Sequence, residues 1–150
     1  MAVLRERPYS RFNFEVDIGG GDTAAIEAGF SEVEGLGLEV EVIEYRAGNA
    51  PTNMPVKISG LAKVPDITLK RGVIGSLGLY EWIDQARAGV PDAARNVTIK
   101  LKSEDRQTIA MTWKLVRARP MKYSGPQLSA STNDVAIEEL VLSCEDLVVE

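Results

Sequence analysis

The chain has no histidine and a single cysteine, Cys144, among its 150 residues. Without histidine, the commonest general base and metal ligand is missing altogether. One cysteine cannot close an internal disulfide, which suits a reducing compartment, and without an imidazole beside it the thiol is a poor nucleophile. There is no basic excess either. Seventeen lysines and arginines face 22 acidic residues, a net charge of −5, where a nucleic-acid binder would carry a basic patch. No run of residues approaches the roughly 20 apolar positions of a membrane-spanning helix. The opening stretch MAVLRERPYSR is charged and lacks the apolar segment of a secretory leader. What is present is ordinary for a globular domain, 45% hydrophobic and 26% charged, in a length that suits one domain with its own core. The expectation is a single domain over residues 1–150, and not an enzyme.

Alternation dominates the pattern. Residues 1–10 read as a polar arm. Phe12, Phe14, Val16 and Ile18 then alternate with polar residues, which predicts a strand burying all four. Gly19-Gly20-Gly21-Asp22 predicts a turn into a weaker strand over 24–33. From residue 36, Leu36, Leu38, Val40 and Val42 share one face. At Val42-Ile43 the phase slips and Tyr45 continues on the other, the mark of a β-bulge or a change of packing environment. Residues 48–64, punctuated by Pro51 and Pro55 and followed by Pro65, read as a long inter-strand loop, and connections of that length usually have a function. Residues 66–72 return to alternation. The only good helical spacing follows, Leu79, Trp82, Ile83 and Ala86 on one stripe, with Ser76 as N-cap and Gly89 and Pro91 as stop. Two more strands flank a turn at 103–106, the second stopping at Pro120, and a last strand over 135–142 is apolar on both faces. Seven strands and one flanking α-helix predict a mainly β fold, an antiparallel β-barrel or two packed sheets.

The residues that would carry chemistry read more simply as structure. Gly19-Gly20-Gly21 and the glycines at 72, 75 and 78 lack the lysine and hydroxyl residue of a phosphate loop and read as turns. Glu39 with Glu41, and Glu138 with Glu139, read as solvated or subunit-facing strand surfaces. No oxygen-ligand spacing for a metal is evident, and nothing calls for a cofactor. Trp82 and Trp113 lie on apolar stripes and read as core. Burial on both faces of a half-exposed antiparallel strand is what remains unusual. It calls for a deep core or a second surface that meets another subunit. A monomeric small-molecule-binding β-barrel stays open as an alternative.

Several segments together resemble the inner tube proteins of contractile phage tails and of phage-tail-like extracellular contractile injection systems. They are Tyr9-Ser10-Arg11-Phe12, Phe30-Ser31-Glu32-Val33-Glu34-Gly35-Leu36 and Val42-Ile43-Glu44-Tyr45-Arg46-Ala47-Gly48. Further along come Asp66-Ile67-Thr68-Leu69-Lys70-Arg71-Gly72, Trp113-Lys114-Leu115, Pro126-x-Leu128-x-Ala130 and Asn133-Asp134-Val135-Ala136-Ile137-Glu138-Glu139-Leu140. The resemblance implies a subunit made in the bacterial cytoplasm that forms hexameric rings. The rings stack into a hollow tube, which sheath contraction drives through a target envelope. Its implied partners are further copies of itself, the contractile sheath protein, baseplate and spike proteins, and protein cargo or DNA in the lumen. A paralogue at the baseplate end is the second position the resemblance allows. It also places the 48–64 loop and the N-terminal arm at the ring-to-ring contact. Asn53-Met54-Pro55 would be the loop's anchor, within a stacking segment bounded by Asn49 and Lys57. The acidic balance adds an expectation of a neutral to acidic lumen.

Overall fold

The computed structural model describes residues 2–19, 29–91 and 93–150. Among them run nine strands and one helix: β1 (Phe14–Asp17), β2 (Glu32–Glu34), β3 (Glu39–Tyr45), β4 (Val56–Lys63), β5 (Ile67–Gly72), α1 (Gly78–Arg87), β6 (Arg95–Lys102), β7 (Ile109–Ser124), β8 (Ile137–Ser143) and β9 (Asp146–Val149). All but Gly19 of the glycine turn expected at 19–22, and the start of the strand expected over 24–33, fall in 20–28, outside the described residues, as does Asp92.

Seven strands form one antiparallel sheet in the order β1-β6-β7-β8-β5-β2, with β9 on the free side of β7. Among the described residues the path does not close into a barrel. It bends into two layers instead, and β7 makes the bend. Its first half pairs with β6 and β9, and its second half, from Arg119 to Ser124, pairs with β8. At the changeover Arg117 takes φ 51°, a left-handed conformation costly for a side-chain-bearing residue. Its N–H is received by Asn96 Oδ1 at 3.1 Å, and its Nε donates to Glu145 at 3.3 Å. Pro120, expected to end the strand, lies inside it. The β7–β8 register shifts between Pro120 and Lys122, and a bulge is where a strand tolerates a proline.

The core fills the space between the two layers. Val16, Ile67, Leu69, Val97, Leu115, Leu140 and Leu142 are inaccessible to solvent, and Leu79 and Trp82 of α1 close one side. Each such side chain contributes about 1.5–3 kcal/mol on burial. The helical stripe is thus partly as expected: Leu79 and Trp82 are buried, Ile83 and Ala86 half-buried. Trp82 Nε1 donates to the Ala93 carbonyl at 2.6 Å, and the Arg95 guanidinium lies over its ring. Ser76 is not the N-cap. Leu77 holds that position, and the Ser76 hydroxyl accepts only the Gly78 N–H at 3.2 Å. Gly89 ends the helix with φ 76°. Phe12 also departs from expectation. It precedes β1 and is 69% exposed, while Phe14 and Ile18 pack on the core.

Two charged residues sit where the alternation puts apolar ones. Arg71 follows Ile67 and Leu69 on the inward face of β5, and Glu138 precedes Leu140 and Leu142 on the inward face of β8. They stand opposite each other in the ladder, 1% and 4% exposed, with Arg71 Nε donating to Glu138 Oε1 at 2.7 Å. The Tyr123 hydroxyl donates to the other carboxylate oxygen at 2.8 Å. Burial, and then the bonded carboxylate, push the Tyr123 phenol above its ordinary pKa. Glu138 is therefore not on the solvated or subunit-facing surface expected for the Glu138–Glu139 pair. Its charge is matched inside the protein.

Candidate assembly surface

The segment expected to be a long loop is mostly a strand. Val56–Lys63 pairs antiparallel with Glu39–Tyr45, so the 48–64 loop reduces to the turn of a β3–β4 hairpin. The ladder shifts between Val40 and Val42, where Gly60 and Leu61 together face Glu41. The extra residue is on β4, and β3 itself runs without interruption through Val42-Ile43, so the apolar residues there fall on both of its faces. Gly60 fits closely at the bulge, since a Cβ there would lie 3.1 Å from the Ile43 side chain and 3.2 Å from the Glu41 carbonyl, so a larger residue would push these neighbours apart by a few tenths of an ångström.

Beyond the bulge the hairpin has two unlike faces. Ile43 stands opposite Ile58, and Tyr45 opposite Val56, which makes one face apolar. Glu44 stands opposite Lys57 on the other. Neither face is covered. Val40, Val42, Ile43, Tyr45, Val56, Ile58 and Leu61 are all between 49% and 80% exposed. Among the described residues β3 and β4 form their own two-stranded sheet and make no sizeable contact with any other strand or the helix. An isolated two-stranded hairpin is marginal in water, and a contiguous exposed apolar surface marks a site of protein contact.

The turn is organised by a residue the sequence did not single out. Arg46 Nε donates to the Thr52 carbonyl at 3.0 Å and its Nη2 to Asn53 Oδ1 at 3.4 Å. The Ala50 N–H reaches the Ala47 carbonyl at 3.1 Å. Asn49, Asn53, Met54 and Pro55 all lie in this turn, with Met54 79% exposed, while Lys57 belongs to β4. The candidate stacking residues are therefore gathered at one end of the hairpin.

The N-terminal arm, expected to reach outward, lies on its own subunit. Arg5 binds both oxygens of Glu104 in the β6–β7 turn, at 2.7 and 2.8 Å, and also donates to the carbonyls of Arg7 and Pro8. The Val3 N–H meets the Ala110 carbonyl at 2.9 Å. The guanidinium holds the Glu104 carboxyl well below the usual carboxylate range. The turn itself forms at 103–106 as expected. Asp105 accepts the N–H groups of Gln107 and Thr108, and Arg106 supplies a φ of 62°.

Among the described residues no group of three or more acidic or cysteine side chains gathers in metal-binding geometry. Cys144 is half-buried, and that burial pushes its thiol up, away from the reactive thiolate. Among the described residues no helix is long and apolar enough to cross a membrane.

The T4-like virus tail tube protein gp19 family matches residues 10–148. The chain belongs to this family. As a tail tube protein it is a structural component and not an enzyme. No curated protein matches the sequence. Solved structures agree with the family. A chain of an extracellular contractile injection system, the PVC sheath–tube complex in its extended state, is 28% identical. It superposes with a TM-score of 0.83 over 97% of this tail tube chain and 93% of that one. The PVC sheath/tube terminator in its extended state gives the same identity and TM-score, over 97% and 98%. Hcp1 from Flavobacterium johnsoniae, 16% identical with a TM-score of 0.57 over 92% and 94%, shares the fold. Among the described residues this tail-tube fold is thus mainly β and antiparallel, with one helix and a sheet that does not close.

Proposed function

We propose that this chain is the repeating subunit of the hollow inner tube of a contractile injection particle. It assembles as six-membered rings that stack inside a sheath and above a baseplate, in particles that act outside the cell that makes them. The observation that carries this reading is the β3–β4 hairpin. The main sheet and the helix hold a buried apolar core between two layers, whereas β3 and β4 contribute no residue to that core and leave seven large apolar side chains in water. Such a projection is stable only when another molecule covers it. In the assembled tube the hairpin turn, with Asn49, Asn53, Met54, Pro55 and Lys57, makes the ring-to-ring contact. The relatives of 28% identity come from a sheath–tube complex and a sheath/tube terminator, which supports sheath contact for this subunit. A ligand-binding barrel is disfavoured because the sheet does not close among the described residues and Trp82, Leu79 and their neighbours fill the interior.

Negative-stain electron microscopy of the purified protein, with its mass in solution, tests the proposal. Stacked six-fold tubes are expected, and single rings that never stack would point to an end-of-tube paralogue. A chain lacking residues 49–57 should fold and fail to stack. Long tubes from that deletion would remove the hairpin turn from the ring-to-ring contact.

A further inference from the structure

The arm before β1 is fastened along one strand edge of its own subunit. β9 covers β7 from Val116 back to Trp113, and Glu150 then exchanges backbone hydrogen bonds with Thr112 in both directions, at 2.8 and 2.9 Å. Backbone groups two residues apart in a strand face the same side, so those of Ala110 face the side that Glu150 occupies at Thr112. There the Val3 N–H takes the Ala110 carbonyl at 2.9 Å. The arm thus continues the line of β9 along β7 and closes backbone that is a template for another chain when bare.

The fastening is polar and easily undone. Beside the two Arg5 bonds to Glu104, the Ser10 hydroxyl donates to the same carboxylate at 3.3 Å. Within the arm the Arg5 guanidinium lies 3.8 Å over the Tyr9 ring, and the Tyr9 hydroxyl donates to the Val3 carbonyl at 2.9 Å. One guanidinium therefore both folds the arm and ties it down. No arm residue joins the apolar core, and Leu4 is 98% exposed. Both ends of the Arg5–Glu104 pair reach solvent, and such pairs contribute little to stability. The arm thus belongs to the part of the fold that opens first. We infer that the arm is a strap, which keeps the β7 edge closed in the free subunit and brakes association with further copies until it is released. This rests on the reading of the chain as a self-assembling subunit. An incoming chain needs the backbone that the strap holds, so association slows in proportion to the fraction of subunits with the arm open.

Light-scattering growth curves at one protein concentration, with electron microscopy of the products, test it. Arg5→Ala frees the arm from its own side and Glu104→Gln from the side of the body. Neither residue lies in the core, and both chains should associate several-fold faster than the parent. Lost stability also quickens association, so a third chain works in the opposite direction. The 2.9 Å bond between Val3 and Ala110 keeps their Cα atoms within about 7 Å, the reach of a disulfide. Val3→Cys with Ala110→Cys, in a Cys144→Ser background, should lock the arm on oxidation. The locked chain should then associate several-fold more slowly than the same chain reduced. Equal curves for the locked and reduced chain, or freed-arm chains no faster than the parent, overturn the strap. Tubes that grow at one rate in every chain refute the strap alone and leave the tube reading standing. Association quickened by the freed arm and slowed by the lock, into particles without six-fold rings or tubes, does the reverse.

Discussion

Replacing Glu138 by alanine removes the carboxylate that neutralises Arg71 and receives the Tyr123 hydroxyl. Both ends of the Arg71–Glu138 pair are almost fully out of water, and the 2.7 Å contact is direct. Deleting one partner of such a pair removes the counter-charge of a buried ion and costs about 3–5 kcal/mol. A domain of this size has about 5–15 kcal/mol in total, so the loss is a large share of it. With about 2–4 °C of melting temperature per kcal/mol at this length, the midpoint should fall by about 6–20 °C. Tyr123→Phe keeps the ion pair and loses one hydrogen bond to a charged group, a smaller cost of about 1.5–3 kcal/mol. Arg71→Leu combined with Glu138→Leu removes both charges and leaves apolar side chains between the layers. That double variant should be much closer to the parent than Glu138→Ala, because the desolvation penalty disappears with the pair. Urea unfolding followed by circular dichroism, at one fixed protein concentration so that assembly contributes equally, reads all four chains. A cost below about 1 kcal/mol for Glu138→Ala, or a double variant as damaged as the single one, would refute this account of the pair.

Two further outcomes follow from local geometry. Gly35 has φ 92°, and a Cβ there would lie 2.3 Å from the Asp66 carbonyl oxygen, a backbone atom that cannot rotate away, so Gly35→Ala should cost on the order of 3 kcal/mol in the same urea assay; an unchanged midpoint would show that the chain leaves β2 by another path. Because Arg5 lowers the Glu104 pKa in the folded state, the arm's attachment is fully present above the ordinary glutamate value of about 4.3 and is lost as pH falls through the lowered one. Hydrogen exchange at the Val3 amide should thus stay slow down to about pH 4 and become fast in Glu104→Gln at neutral pH; equal protection in the two chains would mean the arm is held without the ion pair.

Much of the two-layer body was legible because its alternation is enforced by burial. Ile67-x-Leu69 in β5, Val97-x-Ile99-x-Leu101 in β6 and the Leu79/Trp82 spacing in α1 each place apolar side chains on the face that the core occupies. The hairpin was not legible for the complementary reason. β4 has no core to face within its own subunit, its Val56-x-Ile58 alternation is broken at the Gly60-Leu61 bulge, and Pro55 and Pro65 bracket it, so it reads as loop. Pro120 misled in the same way, because only the neighbouring ladder reveals that it lies at a bulge. The buried ion pair did leave a trace. Arg71 continues the Ile67/Leu69 face and Glu138 the Leu140/Leu142 face, opposite charges at inward positions of two strands.

Sequence alone therefore determined the class of the molecule: a β-rich domain with one covering helix, and segments matching tail tube proteins. Those follow from local periodicity and from which residue types occur, and neither depends on distant parts of the chain meeting. The tertiary structure alone decided that β7 bends at Arg117 to serve both layers, that Arg71 finds Glu138, and that β3 and β4 stand clear of the body with their apolar faces uncovered. These depend on pairing between segments far apart in sequence and on which surfaces are left without a partner once the chain has folded.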